Sequence, residues 1–450
     1  MNTDPPNRLA PFVAVTFVYF LVGFLTTVNG QCQAPLQTAF LLDAGSLKNT
    51  LVTLIPFFFF LAYLVNSPAG ARWIARVGYK KTMLRGLAIM AAGLAVFFFS
   101  AWMSVSLENK TVAVASARVP VGYFVFLLGS FLMGTSAAVL QVVVNPYVTY
   151  YDLKGTQPVQ RLNIVCAVNS FGTTIAPFFV TGILFGGVAM ESVHAGQLQL
   201  PFLLLFALVV LTALATRSMR LPDVKGTHAQ AGQTLERSIW SFRHLALGIV
   251  AIFFYVGAEV SIGVNVNLHA VALAREGRPL LFLGSPGLEI GGMELGIPAL
   301  LATLYWGGLM LGRFVSGNLS HISARTQLTA ATIAATVLTA VAIVADNLWA
   351  LVAVGLFHSV MWGCIFALAT RGLHRYTARA SGAFMMGVFG GAVFPLAQGV
   401  MADALGSWKW SWLLVVVCEL VMLAYARYGS RINPSEHLPE PEERGTAQKA

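Results

Sequence analysis

The sequence predicts an all-α integral membrane protein made of two six-helix halves. Two observations carry this. Apolar runs of about 20 residues, the length an α-helix needs to cross roughly 30 Å of hydrocarbon, recur along the whole chain. A phenylalanine, glycine and proline signature also recurs six runs later. Composition agrees, because only 10% of the 450 residues are charged and mean hydropathy is +0.73. A soluble domain carries about 25% charged residues.

The runs fall at about 11–40, 50–70, 83–103, 120–149, 162–187, 200–216, 244–272, 296–317, 327–345, 348–370, 382–404 and 410–427, which makes twelve helices. The first is too long for a cleavable signal peptide and lacks a small-residue cleavage site. Placing both termini in the cytoplasm leaves only Lys48, Lys110, Arg118, Arg275, Arg278 and Lys409 of the 28 Lys and Arg residues outside. Cytoplasmic loops retain basic residues, so both termini are expected to be cytoplasmic. The net charge of +10 is then a topology signal, and no nucleic-acid partner is implied. Cys32, Cys166, Cys364 and Cys418 all fall in apolar runs, which suggests no disulfide framework.

The fifth run contains "NSFGTTIAPFF" and the eleventh "GVFGGAVFPLAQG", so Phe171-Gly172 with Pro177 recurs as Phe389-Gly390 with Pro395. Internal repeats of this kind are common in transporters. The expected domains are an N-terminal bundle (1–216), a basic cytoplasmic connection (217–243), a C-terminal bundle (244–428) and a polar cytoplasmic tail (429–450). "GARWIARVGYKK" (70–81) and "GRFVSGNLSHIS" (312–323) both place glycine and arginine at a cytoplasmic helix end.

Polar residues inside spans are tolerated where they face a bundle interior or an aqueous cavity. The stretch "AVLQVVVNPYVTYY" (138–151) holds Gln141, Asn145 and Pro146, and the proline is expected to break the helix beside the two amides. Asn29, Gln31, Gln33, Asn163, Asn169, Asn265, Asn267 and Gln398 extend the set, with Tyr147, Tyr255, Tyr305, Trp306 and Trp362 as companions. Neutral amides with aromatic faces suit a polyhydroxylated ligand such as a sugar better than a lipid or a charged metabolite. Hydrogen bonding between helices uses the same residue types.

Five ordered stretches, "LQVVVNPYV" (140–148), "RLNIVCAVNSFGTTIAP" (161–177), "YVGAEVSIG" (255–263), "YWGGLMLGRF" (305–314) and "FGGAVFPLAQGVMAD" (389–403), resemble the signatures of the fucose–galactose–glucose:proton symporter family. That family belongs to the major facilitator type, in which two six-helix bundles rock about a midplane site. The resemblance spans roughly residues 10 to 428 and implies import of a glucose- or galactose-like hexose across a bacterial inner membrane by a monomer. It implies that Gln141, Asn145 and Asn169 belong to a sugar cavity, which Asn29, Gln33, Asn265, Trp306, His358 and Gln398 are expected to share, and it implies a proton, or sodium, as co-substrate.

The family pattern carries an aspartate after the first-helix asparagine. Here the stretch is "VNG", so Gly30 stands in its place; Cys166 and His358 are two further departures. Coupling then needs another carrier, or does not occur. Glu259, Glu419 and His358 are the candidates, since buried carboxylates and histidine can both exchange protons near neutrality. Arg76 and Arg313 are expected to serve a gate by pairing with helix C-termini or acids. Replacing an aspartate by Gly30 is expected to enlarge the pocket, which admits a larger or N-substituted sugar.

No phosphate loop, nucleophile elbow or metal-spaced His/Cys set is present. Neither an enzyme nor a cofactor or metal is therefore expected. The alternatives are an uncoupled facilitator, a transporter-like sensor and an exporter of apolar compounds.

Overall fold

The computed structural model describes residues 9–432, apart from 108–109, 116, 151–152, 154–155, 157, 185–193, 220, 222–236, 291–292, 317–321 and 374–375. Most of the expected central connection, the tail beyond 432 and the side chain of Asn163 lie outside the described residues. Among the described residues, twelve spans are long and apolar enough to cross a membrane: α1 Leu9–Phe40, α2 Ala44–Ile74, α3 Arg76–Ser106, α4 Val121–Asn145, α5 Ile164–Leu184, α6 Ala195–Ser218, α7 Arg243–Arg275, α8 Ile297–Val315, α9 Ala324–Ala345, α10 Leu348–Thr370, α11 Arg379–Leu405 and α12 Lys409–Gly429. An even number of spans puts the start of α1 and the end of α12 on one face, the terminal face.

The basic stretch between α2 and α3 is no loop. Helix runs from Leu54 to Ser106 and is turned only at Gly78, whose φ of 80° suits glycine alone. Beside it Lys80 Nζ donates to the carbonyls of Arg217 and Met219 at 2.8 and 2.6 Å, closing the C-terminal end of α6. A cation there satisfies carbonyls that the helix itself leaves without donors.

The repeat seen in the sequence is a repeat of contacts. A Cβ built on Gly172 would lie 2.8 Å from the Phe20 carbonyl oxygen, and one on Gly390 would overlap the Phe253 carbonyl. Thus α5 presses on α1 as α11 presses on α7. Likewise Gly134 of α4 abuts the Phe59 carbonyl of α2, while Gly355 of α10 abuts that of Tyr305 in α8. Glycine permits such close backbone approach, the usual way membrane helices gain packing energy.

Pro146 does not break its helix, contrary to the sequence expectation: helix continues from Val121 to Tyr150. Proline removes one ladder hydrogen bond, and the buried Val143, Val144, Tyr147 and Val148 around it hold the turn. Irregular turns occur elsewhere, as a wide turn at Val180–Leu184 after Pro177 and a tight turn at Gly387–Phe389 within α11. Two antiparallel hairpins, β1 Thr111–Val114 with β2 Ala117–Pro120 and β3 Gly287–Ile290 with β4 Met293–Gly296, lie on the face opposite the termini. Hydropathy hides such short strands beside long apolar runs.

Candidate functional site

In the N-terminal half, the amides of α4 and α5 gather against two tyrosines. Gln141 Nε2 donates to Tyr63 Oη at 3.1 Å, and Asn169 Nδ2 donates to the Tyr19 carbonyl at 2.7 Å. A Cβ on Gly23 would stand 2.6 Å from that Nδ2, so glycine keeps α1 open to the incoming amide. Asn145 lies beside the Tyr19 side chain, and its Oδ1 is buried without a partner among the described residues. Gln141, Asn145 and Asn169 are all half-buried. An amide with spare capacity on a half-buried surface is equipped to bind a hydroxyl group.

The C-terminal half answers with a polar network on four helices. Tyr255 and Glu259 stand one turn apart on α7, so both face the same way. Tyr255 Oη lies 3.0 Å from Glu259 Oε1 and 3.0 Å from the His358 carbonyl. Tyr305 Oη, from α8, lies 3.1 Å from the Glu259 carbonyl and 2.8 Å from His358 Nδ1. The other imidazole nitrogen, Nε2, is 2.7 Å from Glu419 Oε1 on α12, and both of those side chains are fully enclosed. Glu419 Oε2 has no partner among the described residues, and neither does the Trp306 indole nitrogen.

Arg313 joins the halves. Its guanidinium donates to Ser170 Oγ on α5, the neighbour of Asn169. Its other terminal nitrogen lies 3.9 Å from Glu259 Oε1. The amide cluster and the acid network therefore face each other across one arginine. Arg76, the other expected gating residue, is exposed, and Lys80 is the residue that closes a helix end.

The remaining expected site residues are enclosed by their own hydrogen bonds. Asn29 accepts from Ser130 Oγ at 2.7 Å, and Gln33 donates to the Val52 carbonyl at 3.3 Å. Asn265 donates to Gln398 Oε1 at 2.9 Å, and Gln398 in turn to the Ser411 carbonyl at 3.3 Å. Sequence reasoning missed Tyr19, Tyr63, Ser170 and Asp403. Only Asp403 had a legible signal, as an acid inside a span.

Toward the face opposite the termini the halves are sealed. Gln31 Nε2 donates to the Gly263 carbonyl at 2.9 Å, and Gln31 Oε1 accepts from Asn267. Asp403 accepts the backbone N–H groups of Asn49 and Thr50 at 3.2 and 2.6 Å. Gly30 belongs to this seal. A Cβ there would meet Val264 Cγ1 at 2.6 Å, so the space an aspartate would occupy is filled, and the expected enlargement of the pocket does not occur. Outside the seal lies a cavity of about 700 Å³ bordered by Lys48, Arg278, Asp346 and Lys409. It is a vestibule in front of the seal; the convergent amides and acids lie behind it.

Known proteins align with this arrangement. A family model described as Major Facilitator Superfamily matches residues 15–394. The chain is 32% identical over 425 residues to a glucose/galactose transporter of Brucella abortus, covering 93% of each chain. It is 25% identical over 455 residues to an L-fucose-proton symporter of Escherichia coli, covering 94% of each. A crystal structure of the E. coli fucose:proton symporter superposes with a TM-score of 0.63 at 24% identity, covering 94% of this chain and 99% of that one.

Proposed function

The chain belongs to the Major Facilitator Superfamily, and from that premise we propose that it imports a glucose- or galactose-like hexose together with a proton. It is a transporter and no enzyme: its relatives are named glucose/galactose transporter and L-fucose-proton symporter, and they align with nearly all of it. One observation carries the reading. Arg313 bonds Ser170, the chain neighbour of Asn169 in the amide cluster, and stands beside Glu259, which supports a meeting of neutral hydroxyl-binding groups and a titratable group between the two halves.

The sugar lies against Gln141, Asn145 and Asn169, with Trp306 offering an aromatic face and a buried N–H that lacks a partner among the described residues. Asn29, Gln33, Asn265 and Gln398 hold the surrounding helices and contact sugar after the halves have moved, while His358 stays enclosed in the C-terminal half. Alternating access then consists of releasing the seal at Gln31, Asn267 and Asp403 on one face while the other closes. Arg313 guards the path from the terminal face, and the exposed Arg76 marks that face.

The terminal face is cytoplasmic, as the distribution of basic residues supports, and the membrane is the bacterial inner membrane. One chain supplies both halves and the path between them, so a monomer suffices. A proton rather than sodium is the co-substrate, because the network contains a histidine. A potential of 100 mV gives one proton about 2.3 kcal/mol, which corresponds to about fiftyfold accumulation of sugar.

Competition for labelled glucose uptake by a panel of hexoses, hexosamines and disaccharides tests the substrate class. Glucose and galactose are expected to compete best; displacement by disaccharides alone overturns the hexose reading.

A further inference from the structure

Resting on the symport reading above, we propose that the transported proton is held by the His358–Glu419 pair inside the C-terminal half, away from the sugar, and is reported to α7 by Tyr305.

The location follows from where acids exist at all. The six spans of the N-terminal half contain no Asp or Glu, while those of the C-terminal half contain Glu259, Asp403 and Glu419. Asp403 is engaged at the seal by two backbone amides. The two deep acids belong to one network, and His358 connects them.

The titratable and charged groups around the pair come from three elements. From α7 come Tyr255 and Glu259, from α8 Tyr305 and Arg313, and from α12 Cys418 beside Glu419. The span α9 has a single charged residue, Arg325 near its terminal-face end, and it bonds Ser430. Among the described residues, Arg313 is the one cation near the deep acids, and it stands beside Glu259. A second negative charge, on Glu419, would be uncompensated unless His358 carries or donates a proton to it. Buried ionised groups require such pairing.

Tyr305 makes the proton count readable. Its hydroxyl has one hydrogen and two acceptors in reach, His358 Nδ1 at 2.8 Å and the Glu259 carbonyl at 3.1 Å. With one proton on the pair, His358 Nε2–H donates to the Glu419 carboxylate, and Tyr305 donates to Nδ1. When a second proton arrives, Nδ1–H must donate to Tyr305 Oη, so the Tyr305 hydrogen turns to the Glu259 carbonyl on α7. Charge on the pair changes from −1 to 0: the added proton binds Nδ1, and the Nε2 proton passes across the 2.7 Å contact to Glu419, whose carboxyl then donates to Nε2. Tyr255 makes the complementary link, between the Glu259 carboxylate and the His358 carbonyl. Glu259 keeps some exposure, and its side chain is 12% accessible, whereas His358 and Glu419 have none. The proton therefore enters and leaves past Glu259, where Arg313 can displace it.

Two readouts test this in the full-length protein. The first compares sugar counterflow, which moves no net proton, with gradient-driven accumulation in proteoliposomes. Glu419→Gln is expected to lose accumulation, from about fiftyfold to about onefold, while counterflow continues. Removing one partner strands the other in the core, so the double variant His358→Gln/Glu419→Gln, which strands neither, carries the same prediction. Tyr305→Phe is expected to leave the pair protonated yet lose most of the accumulation, and Cys418→Ser to change neither. The second readout needs no sugar: infrared spectroscopy of purified protein against pH follows the carbonyl stretch of a protonated carboxyl group. That band is expected in wild type and Glu259→Gln and absent from Glu419→Gln. Wild-type accumulation by Glu419→Gln, or an unaltered band in it, overturns the proposal. If wild type moves no hexose, the symport reading fails, and the infrared comparison still decides where the proton sits.

Discussion

The carboxylate of Asp403 accepts the backbone N–H of Thr50 at 2.6 Å, so an acid of the C-terminal half caps a helix of the N-terminal half. The helical segment starting at Lys48 receives no side-chain cap from its own N-cap residue, Leu47. Its free N–H groups and its dipole favour an anion. The clasp exists only while the halves meet on that face. Losing an N-terminal cap costs about 0.5–2 kcal/mol, so Asp403→Ala should favour the state open on this face by about 2- to 30-fold. Spin labels at Ser46 and Ser407, which flank the vestibule, should show a longer distance population in the variant.

Gly30 is required by the seal. A side chain there meets Val264 Cγ1, and overpacking of this kind costs about 1–3 kcal/mol. Gly30→Asp should therefore slow hexose transport without improving accumulation per proton. Gly30→Asp/Val264→Ala should recover much of the rate, measured as initial uptake.

The amides divide into two groups that binding and unfolding can separate. Gln141→Ala should weaken hexose binding by about 5- to 150-fold, the equivalent of about 1–3 kcal/mol for a buried polar group left unpaired, with little change in melting temperature. Asn265→Ala removes the partner of Gln398 and should lower the melting temperature. Calorimetric titration and thermal unfolding of both variants check this.

At the vestibule, Arg278 and Asp346 pair at 2.7 Å. Burial alone would raise the Asp346 carboxyl, but the Arg278 hydrogen bond and the nearby charge of Lys409 together outweigh it and hold the group below the usual range. A lowered folded-state value means its stabilisation is complete above the unfolded value of about 3.9 and is lost as pH falls through the lower, folded one. Unfolding temperatures of wild type and Asp346→Asn should thus run parallel from pH 8 to about pH 5, and converge in acid.

Much of this architecture was legible beforehand because hydrocarbon imposes it. Span length, basic loops and the echo of Gly172 in Gly390 follow from the membrane and from helix contact, both local in sequence. The site was legible by residue type and not by role. Gln141 and Gln398 look alike as letters, yet the first is half-buried and the second enclosed by Asn265 and Ser411. Pro146 reads as a breaker, but the packing of Val143 and Tyr147 overrides it. The link from Glu259 through Tyr305 and His358 to Glu419 joins four helices far apart in sequence, and no spacing rule reaches that far.

The most direct test of the central claim is uptake of labelled glucose into proteoliposomes with and without an imposed inward proton gradient, for wild type and Glu259→Gln. Wild type should accumulate sugar by up to about fiftyfold at 100 mV, while Glu259→Gln only equilibrates it. Equilibration by wild type with the gradient in place would contradict the account and make the protein a facilitator.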